Sequence, residues 1–146
     1  MTKKLALAAA LVLAASGMAQ AQTGPNIIET RQVAMALLSG DFGGINAVVA
    51  LKGDVKTLEN RAKAMARFAA IIPSLFPPGT AAGNNTKATA EVFSDAAGFQ
   101  KAAMAMGAAA TKLAETAKGG DIDAVAADVK AVSAACSACH NTYRAK

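Results

Sequence analysis

Apolar residues recur along this chain at alternating steps of three and four, in four separate segments. The first stripe reads Ile28, Arg31, Met35, Leu38, Phe42, Ile45, Val49, with one arginine on its apolar line. The second reads Val55, Leu58, Ala62, Met65, Ala69, Ile72, and the third Val92, Ala96, Phe99, Ala103, Met106, Ala110, Leu113, Ala117. The fourth reads Ile122, Val125, Val129, Val132, Cys136, Cys139, Tyr143. Steps of three and four keep residues on one face of a helix, and no segment sustains the alternation of a strand. The pattern predicts an all-α chain of four amphipathic helices.

The breaks between stripes agree. Lys52-Gly53-Asp54 ends the first helix and offers Asp54 as N-cap of the second. Pro73, Pro77, Pro78, Gly79 and Gly83-Asn84-Asn85 make a longer loop, because proline removes donors and blocks helix. Thr86 is the expected cap of the third helix. Gly119-Gly120-Asp121 supplies a C-terminal glycine and the next N-cap. Gly43-Gly44 inside the first stripe costs about 1 kcal/mol per residue against alanine, and would bend that helix or admit a close neighbour. Two of the three connections are short, so successive helices are expected antiparallel, as an up-down-up-down four-helix bundle.

The segment before the first stripe reads differently. Lys3 and Lys4 precede an apolar run, Leu5 to Ala15, followed by Ala19-Gln20-Ala21. This is the pattern of a secretory signal peptide, with a run too short for a spanning helix of roughly 20 residues. The expected organisation is a signal peptide at residues 1–21 and one domain at 22–146, exported to the periplasm and free of the membrane in its mature form. Without Lys3 and Lys4 the formal charge falls from +5 to +3. The cations are scattered, without a basic run or interleaved aromatics, so nucleic acid is not an expected partner.

Special chemistry is scarce. The chain has one His, two Cys, one Tyr and no Trp. There is no phosphate loop, no nucleophile elbow and no second His for a triad, so an enzyme is not expected. What remains is Cys136-Ser137-Ala138-Cys139-His140, a Cys-x-x-Cys-His string that reads as covalent attachment of haem c. On a helix the two sulfurs lie within one turn, placed to bond two carbons on one side of a porphyrin, and the next residue's imidazole can meet the iron. A thiol-redox site would need a βαβ context, a structural zinc site four ligands, and a disulfide across this spacing would secure little.

Bundle topology gives a second test. The fourth helix ends where the first begins. At a rise of about 1.5 Å per residue, His140 lies roughly 9 Å from the chain's end and Met35 roughly 13 Å above a start near Asn26, at similar depth. Phe68, Ile72, Leu75, Phe76, Val92, Phe93, Phe99 and Tyr143 fall in this half, as a flat apolar cofactor would require. Phe42 is expected well away, Met104 and Met106 far up the third helix, and the opposite end dominated by alanine.

On these residues the chain resembles the class II c-type cytochromes, and among them cytochrome c′. The resemblance covers residues 22–146. It rests on Cys136 to His140 with Asn141-Thr142-Tyr143-Arg144 at the C-terminal end, on Glu29-Thr30-Arg31-Gln32, and on Leu75-Phe76-Pro77-Pro78-Gly79-Thr80. It implies a five-coordinate iron held by His140, an apolar distal side open to nitric oxide or carbon monoxide, and one-electron exchange with redox partner proteins. It implies Met35 facing the iron, Arg31 near the haem propionates, Arg144 beside the proximal face, and a homodimer packed through the first two helices. Low-spin members of the class use a methionine at the position of Met35 as sixth ligand and act purely as electron carriers. That reading stands as the alternative.

Overall fold

The structure is a computed structural model and describes residues 26–146; the expected signal peptide at 1–21 lies outside the described residues. The long helices are α1 (Ile27–Ala50), α2 (Glu59–Ile71), α4 (Ala96–Gly119) and α5 (Ile122–Tyr143), with a single turn α3 (Glu91–Ser94) before α4. Short 3-10 turns at Val55–Leu58 and Ile72–Leu75 bracket α2. No strand occurs among the described residues, which hold one isolated bridge, Ala88 with Arg144. The fold is the expected four-helix bundle.

Each long helix begins or ends on identifiable chemistry. Asn26 Oδ1 accepts from Ile28 N at 2.9 Å, Asp54 Oδ1 from Lys56 N at 3.0 Å, and Asp121 Oδ1 from Asp123 N and Ala124 N at 3.0 and 3.1 Å. Such caps satisfy amide groups that have no intrahelical acceptor. Gly120 closes α4 with a φ of +83°, a left-handed conformation in which a side chain is strained. Asp54 caps as expected, but through the 3-10 turn that leads into α2. Thr86 does not cap a helix. The chain stays irregular through residue 90 and breaks again at Asp95, whose Oδ1 accepts from Gly98 N at 3.0 Å and starts α4. Gly43-Gly44 does not interrupt α1. Gly44 instead lies beneath the Arg61 guanidinium, where a Cβ would collide with the Arg61 side chain.

The core divides along the bundle axis. One cluster gathers Ile45, Val55, Leu58, Ala62, Met65, Ala110, Leu113, Ala114, Ala117, Val125, Val129 and Val132. This end is therefore not mainly alanine: β-branched and leucine side chains fill it between the small residues. The α2–α4 seam is where small residues matter, since a Cβ on Gly107 would stand 3.1 Å from Ala69 Cβ. The second cluster gathers Ala69, Ile72, Val92, Phe99, Ala103 and Met106, with Phe68, Phe76, Phe93 and Tyr143 packed against it. All six residues of the second stripe are buried, whereas α1 buries only Ile28, Arg31 and Ile45. Helix α1 is long and apolar enough to cross a membrane by length and composition, with a mean hydropathy of 1.5 in its best window. Its buried arginine and its contacts with the other helices make it one wall of the bundle, with an apolar outer face at Val33 and Leu37.

Candidate functional site

Between α1, α4 and the end of α5 lies a cleft of about 520 Å³. One wall carries Cys136, Cys139 and His140 from the last turns of α5, and the facing wall carries Met35, Leu38 and Phe42 from α1. Phe76, Phe99, Met106 and Tyr143 complete an apolar lining, and Arg31 and Arg144 stand among the lining residues. All six site residues expected from the sequence thus line one cavity: Arg31, Met35, Cys136, Cys139, His140 and Arg144. Two expectations on depth are corrected. Phe42 lines the cleft because the stripe of α1 carries it along the same face as Met35. Met106 also reaches it, from the face of α4 that turns inward.

The helix spacing explains the reactive wall. Cys136 and Cys139 are three residues apart, hence neighbours on one face, and both are half-buried free thiols. Burial pushes both thiols above their ordinary pKa, and Cys139 is raised further by Cys136. Burial pulls the His140 imidazole below its ordinary value, and Arg144 adds to this. The imidazole is therefore neutral near pH 7, the form whose lone pair can bind a metal. Among the described residues no three His, Cys, Asp or Glu side chains gather around a point that would hold a bare ion. The trio runs along a wall instead.

Arg31 is the second distinctive group. Its side chain is 2% exposed, yet every hydrogen-bond partner it has among the described residues is neutral. Nη1 donates to Thr80 Oγ1 at 2.8 Å, and Nη2 donates to Thr80 O at 2.8 Å and Thr86 Oγ1 at 2.7 Å. The guanidinium also sits 4.5 Å from the centre of the Phe76 ring. Burial lowers its pKa. A buried cation without a carboxylate is costly, and its place at the edge of an apolar cleft is suited to the acidic edge of a flat ligand. Phe76 meets Phe99 edge-on at 5.0 Å, and Phe99 meets Tyr143 edge-on at 5.2 Å, so a continuous aromatic wall links Arg31 to the turn after His140.

The match to known proteins decides what such a cleft belongs to. The family model for cytochrome c′ matches residues 26–144. The chain belongs to the cytochrome c′ family. It is 34% identical over 129 residues to cytochrome c′ of Rubrivivax gelatinosus, a match covering 87% of this chain and all of that one. Among solved structures it resembles a carbon-monoxide-bound variant of cytochrome c′ from Alcaligenes xylosoxidans, with a TM-score of 0.73 and 32% identity over 82% of this chain and 94% of that one. It also resembles a cytochrome c′ with ligand-controlled dimer dissociation, with a TM-score of 0.76 and 32% identity over 82% and 95% of the two chains. Cytochrome c′ proteins carry a covalently attached haem c.

The residues of this chain fit that group: paired thiols and a neutral imidazole on one wall, an apolar facing wall, and a buried cation at the edge. Sequence reasoning missed Thr80, Thr86 and Asp95 as parts of the site's frame. Asp95 carried a readable sign, an acidic residue three before a glycine at a helix start, which the third stripe obscured by running on from Val92 to Ala96.

Proposed function

We propose that this chain is an exported, periplasmic, non-enzymatic haem protein of the cytochrome c′ type, with an open distal face that binds nitric oxide or carbon monoxide and an iron that exchanges single electrons with partner proteins. The haem supplies an iron centre able to change oxidation state by one electron and to take a diatomic ligand. In this reading Cys136 and Cys139 form the thioethers, His140 binds the iron, and Arg31 faces the acidic side chains of the cofactor. Arg144, at the mouth of the cleft one turn after His140, places a positive charge beside the proximal imidazole.

The observation that carries the reading is the composition of the facing wall. Met35, Leu38 and Phe42 are apolar, and no second histidine exists in the chain to close the distal side. Met35 is half-buried and held on the core face of α1 by the register of Ile28, Arg31 and Ile45, so its place needs no bond to iron. A thioether in this wall is also what favours the second reading, a low-spin His/Met carrier with a raised potential.

The absorption spectrum of the oxidised holoprotein separates the two. The expected spectrum is high-spin and is unchanged in Met35→Leu. A thioether-to-iron charge-transfer band that disappears in Met35→Leu would refute the open face and establish the electron-carrier reading. Acidified organic extraction should leave the colour on the polypeptide, and should lose it after Cys136→Ala with Cys139→Ala.

A homodimer accompanies this reading. Val33 and Leu37, 57% and 70% exposed, lie on the outer side of a helix with few buried residues, and a second copy's α1 and α2 would cover them.

A further inference from the structure

The turn that carries His140 is gripped by contacts that haem attachment does not require. Tyr143 Oη donates to Asp95 Oδ2 at 2.8 Å, while Asp95 Oδ1 is already the N-cap of α4. Thr89 Oγ1 donates to Thr142 O at 3.0 Å, and Thr89 N to Tyr143 O at 3.2 Å. Ala145 N donates to Lys87 O at 2.7 Å. The carbonyls of Thr142 and Tyr143 belong to the last turn of α5, where no intrahelical amide remains to satisfy them. A Cβ on Gly98 would fall on Asp95 Oδ2 and stand 2.5 Å from the Tyr143 hydroxyl, so a larger residue there would have to displace the carboxylate or the phenol.

These contacts matter because of what His140 lacks. A metal-binding histidine is usually oriented by a hydrogen bond from its second ring nitrogen. Among the described residues the His140 side chain has no such partner. Its orientation is inherited from the backbone turn and from whatever holds that turn.

We propose that Asp95 and Tyr143 form a positioning clamp for His140. They tie the end of α5 to the start of α4 and thereby set the tilt and height of the imidazole at the cofactor. The proposal rests on the reading of His140 as iron ligand. Asp95 has a separate oxygen for each task, one for the cap and one for the phenol. Tyr143 and Asp95 touch neither of the thiols nor the imidazole by hydrogen bonds, and act through the turn.

The test uses the ferrous holoprotein and the resonance Raman band of the iron–imidazole stretch. Tyr143→Phe keeps the ring and its contact with Phe99 but removes the donor. Asp95→Ser keeps an N-cap oxygen but cannot also reach the phenol. Both are expected to move the band to lower frequency, and the double variant to move it no further than either alone. Asp121→Ala removes the cap at the far end of α5. It is expected to lower the melting temperature while leaving the band in place, which a merely structural role for the clamp would not predict of the other two. An unmoved band in Tyr143→Phe and Asp95→Ser would overturn the clamp, as would an equal shift in Asp121→Ala. Persistence of the wild-type band in His140→Ala would overturn the ligand assignment, and the clamp with it.

Discussion

Replacing Arg31 with methionine tests whether the buried guanidinium latches the loop after α2 onto α1. Arg31 makes three hydrogen bonds of 2.7 to 2.8 Å to Thr80 and Thr86, which lie 49 and 55 residues further along the chain. Hydrogen bonds from a charged donor contribute about 1.5–3 kcal/mol each, so the gross loss is about 5–9 kcal/mol. Two effects reduce it. The guanidinium no longer needs to be stripped of water, which returns several kcal/mol. Thr80 and Thr86 are half-buried, so their freed oxygens can turn towards solvent. In the proposed reading the cofactor acid that Arg31 would face adds to the loss in the holoprotein. The expected net cost there is about 3 kcal/mol, or about 12 °C in melting temperature at about 4 °C per kcal/mol for a domain of this size.

The double-mutant cycle with Thr86→Val makes the test specific. Thr86→Val removes one of the three bonds and also the acceptor of Ala88 N at 3.2 Å, and should cost about 2 kcal/mol alone. In the Arg31→Met background that bond is already gone, so the second substitution should cost only the contact of the Ala88 amide with the Thr86 hydroxyl, and the coupling should approach about 1.5 kcal/mol. Hydrogen exchange should quicken across residues 80–90, while α4 and α5 change only as global stability falls. Simple additivity of the two substitutions, or unchanged exchange in that loop, would refute the latch.

Three further outcomes follow from the packing. Leu113→Ala removes a side chain with 0% exposure and should cost about 3–4 kcal/mol without altering the haem spectrum, as read by thermal melting and absorption. Tyr143 is the only tyrosine, and ring-labelled NMR should find it titrating above its ordinary value of 10.0, because the phenol's hydrogen bond to Asp95, then burial, then the charge of Asp95 hold its proton. Stability from that bond is complete below pH about 10 and is lost as pH rises through the raised value, so a midpoint at or below 10 in the holoprotein would contradict the geometry. Leu37→Glu should turn a sedimenting dimer into a monomer, whereas a wild-type monomer at micromolar concentration would remove the basis for the α1 interface.

How much of this was legible in the sequence depends on range. Local periodicity carries the helices: the stripe of α2 is buried at every one of its positions, and that of α4 at all but Ala96. Ala96 fails because the helix restarts at Asp95, and apolar spacing alone does not register a one-residue break whose cap is a polar atom. The Cys-x-x-Cys-His motif was legible because its chemistry lies within five consecutive residues. Arg31 could be placed in the site, but its grip on Thr80 and Thr86 could not, since those partners are chosen by the path of a loop rich in proline and glycine. Thr86 shows the difference most clearly. Its hydroxyl was expected to cap a helix, but the helix starts later, and the oxygen serves a guanidinium from the first helix.

The unequal packing of the two ends of the bundle explains why the site lies where it does. At one end Leu58, Leu113, Val125 and Val132 leave no room for another body, and all are 1% exposed or less. At the other the middle of α1 stays half-covered, with Met35, Leu38 and Phe42 packed against the core on one side and open to the cleft on the other. Half-buried apolar groups at such a density leave stabilisation unrealised unless something apolar fills the space. A covalently held flat ring meets that requirement, because its attachment does not depend on a pocket that closes around it. The thioether wall can therefore sit beside an open face. In the proposed reading that combination lets Arg31 be desolvated without a carboxylate from the chain, and it would leave the side opposite His140 to a small ligand that reaches Met35.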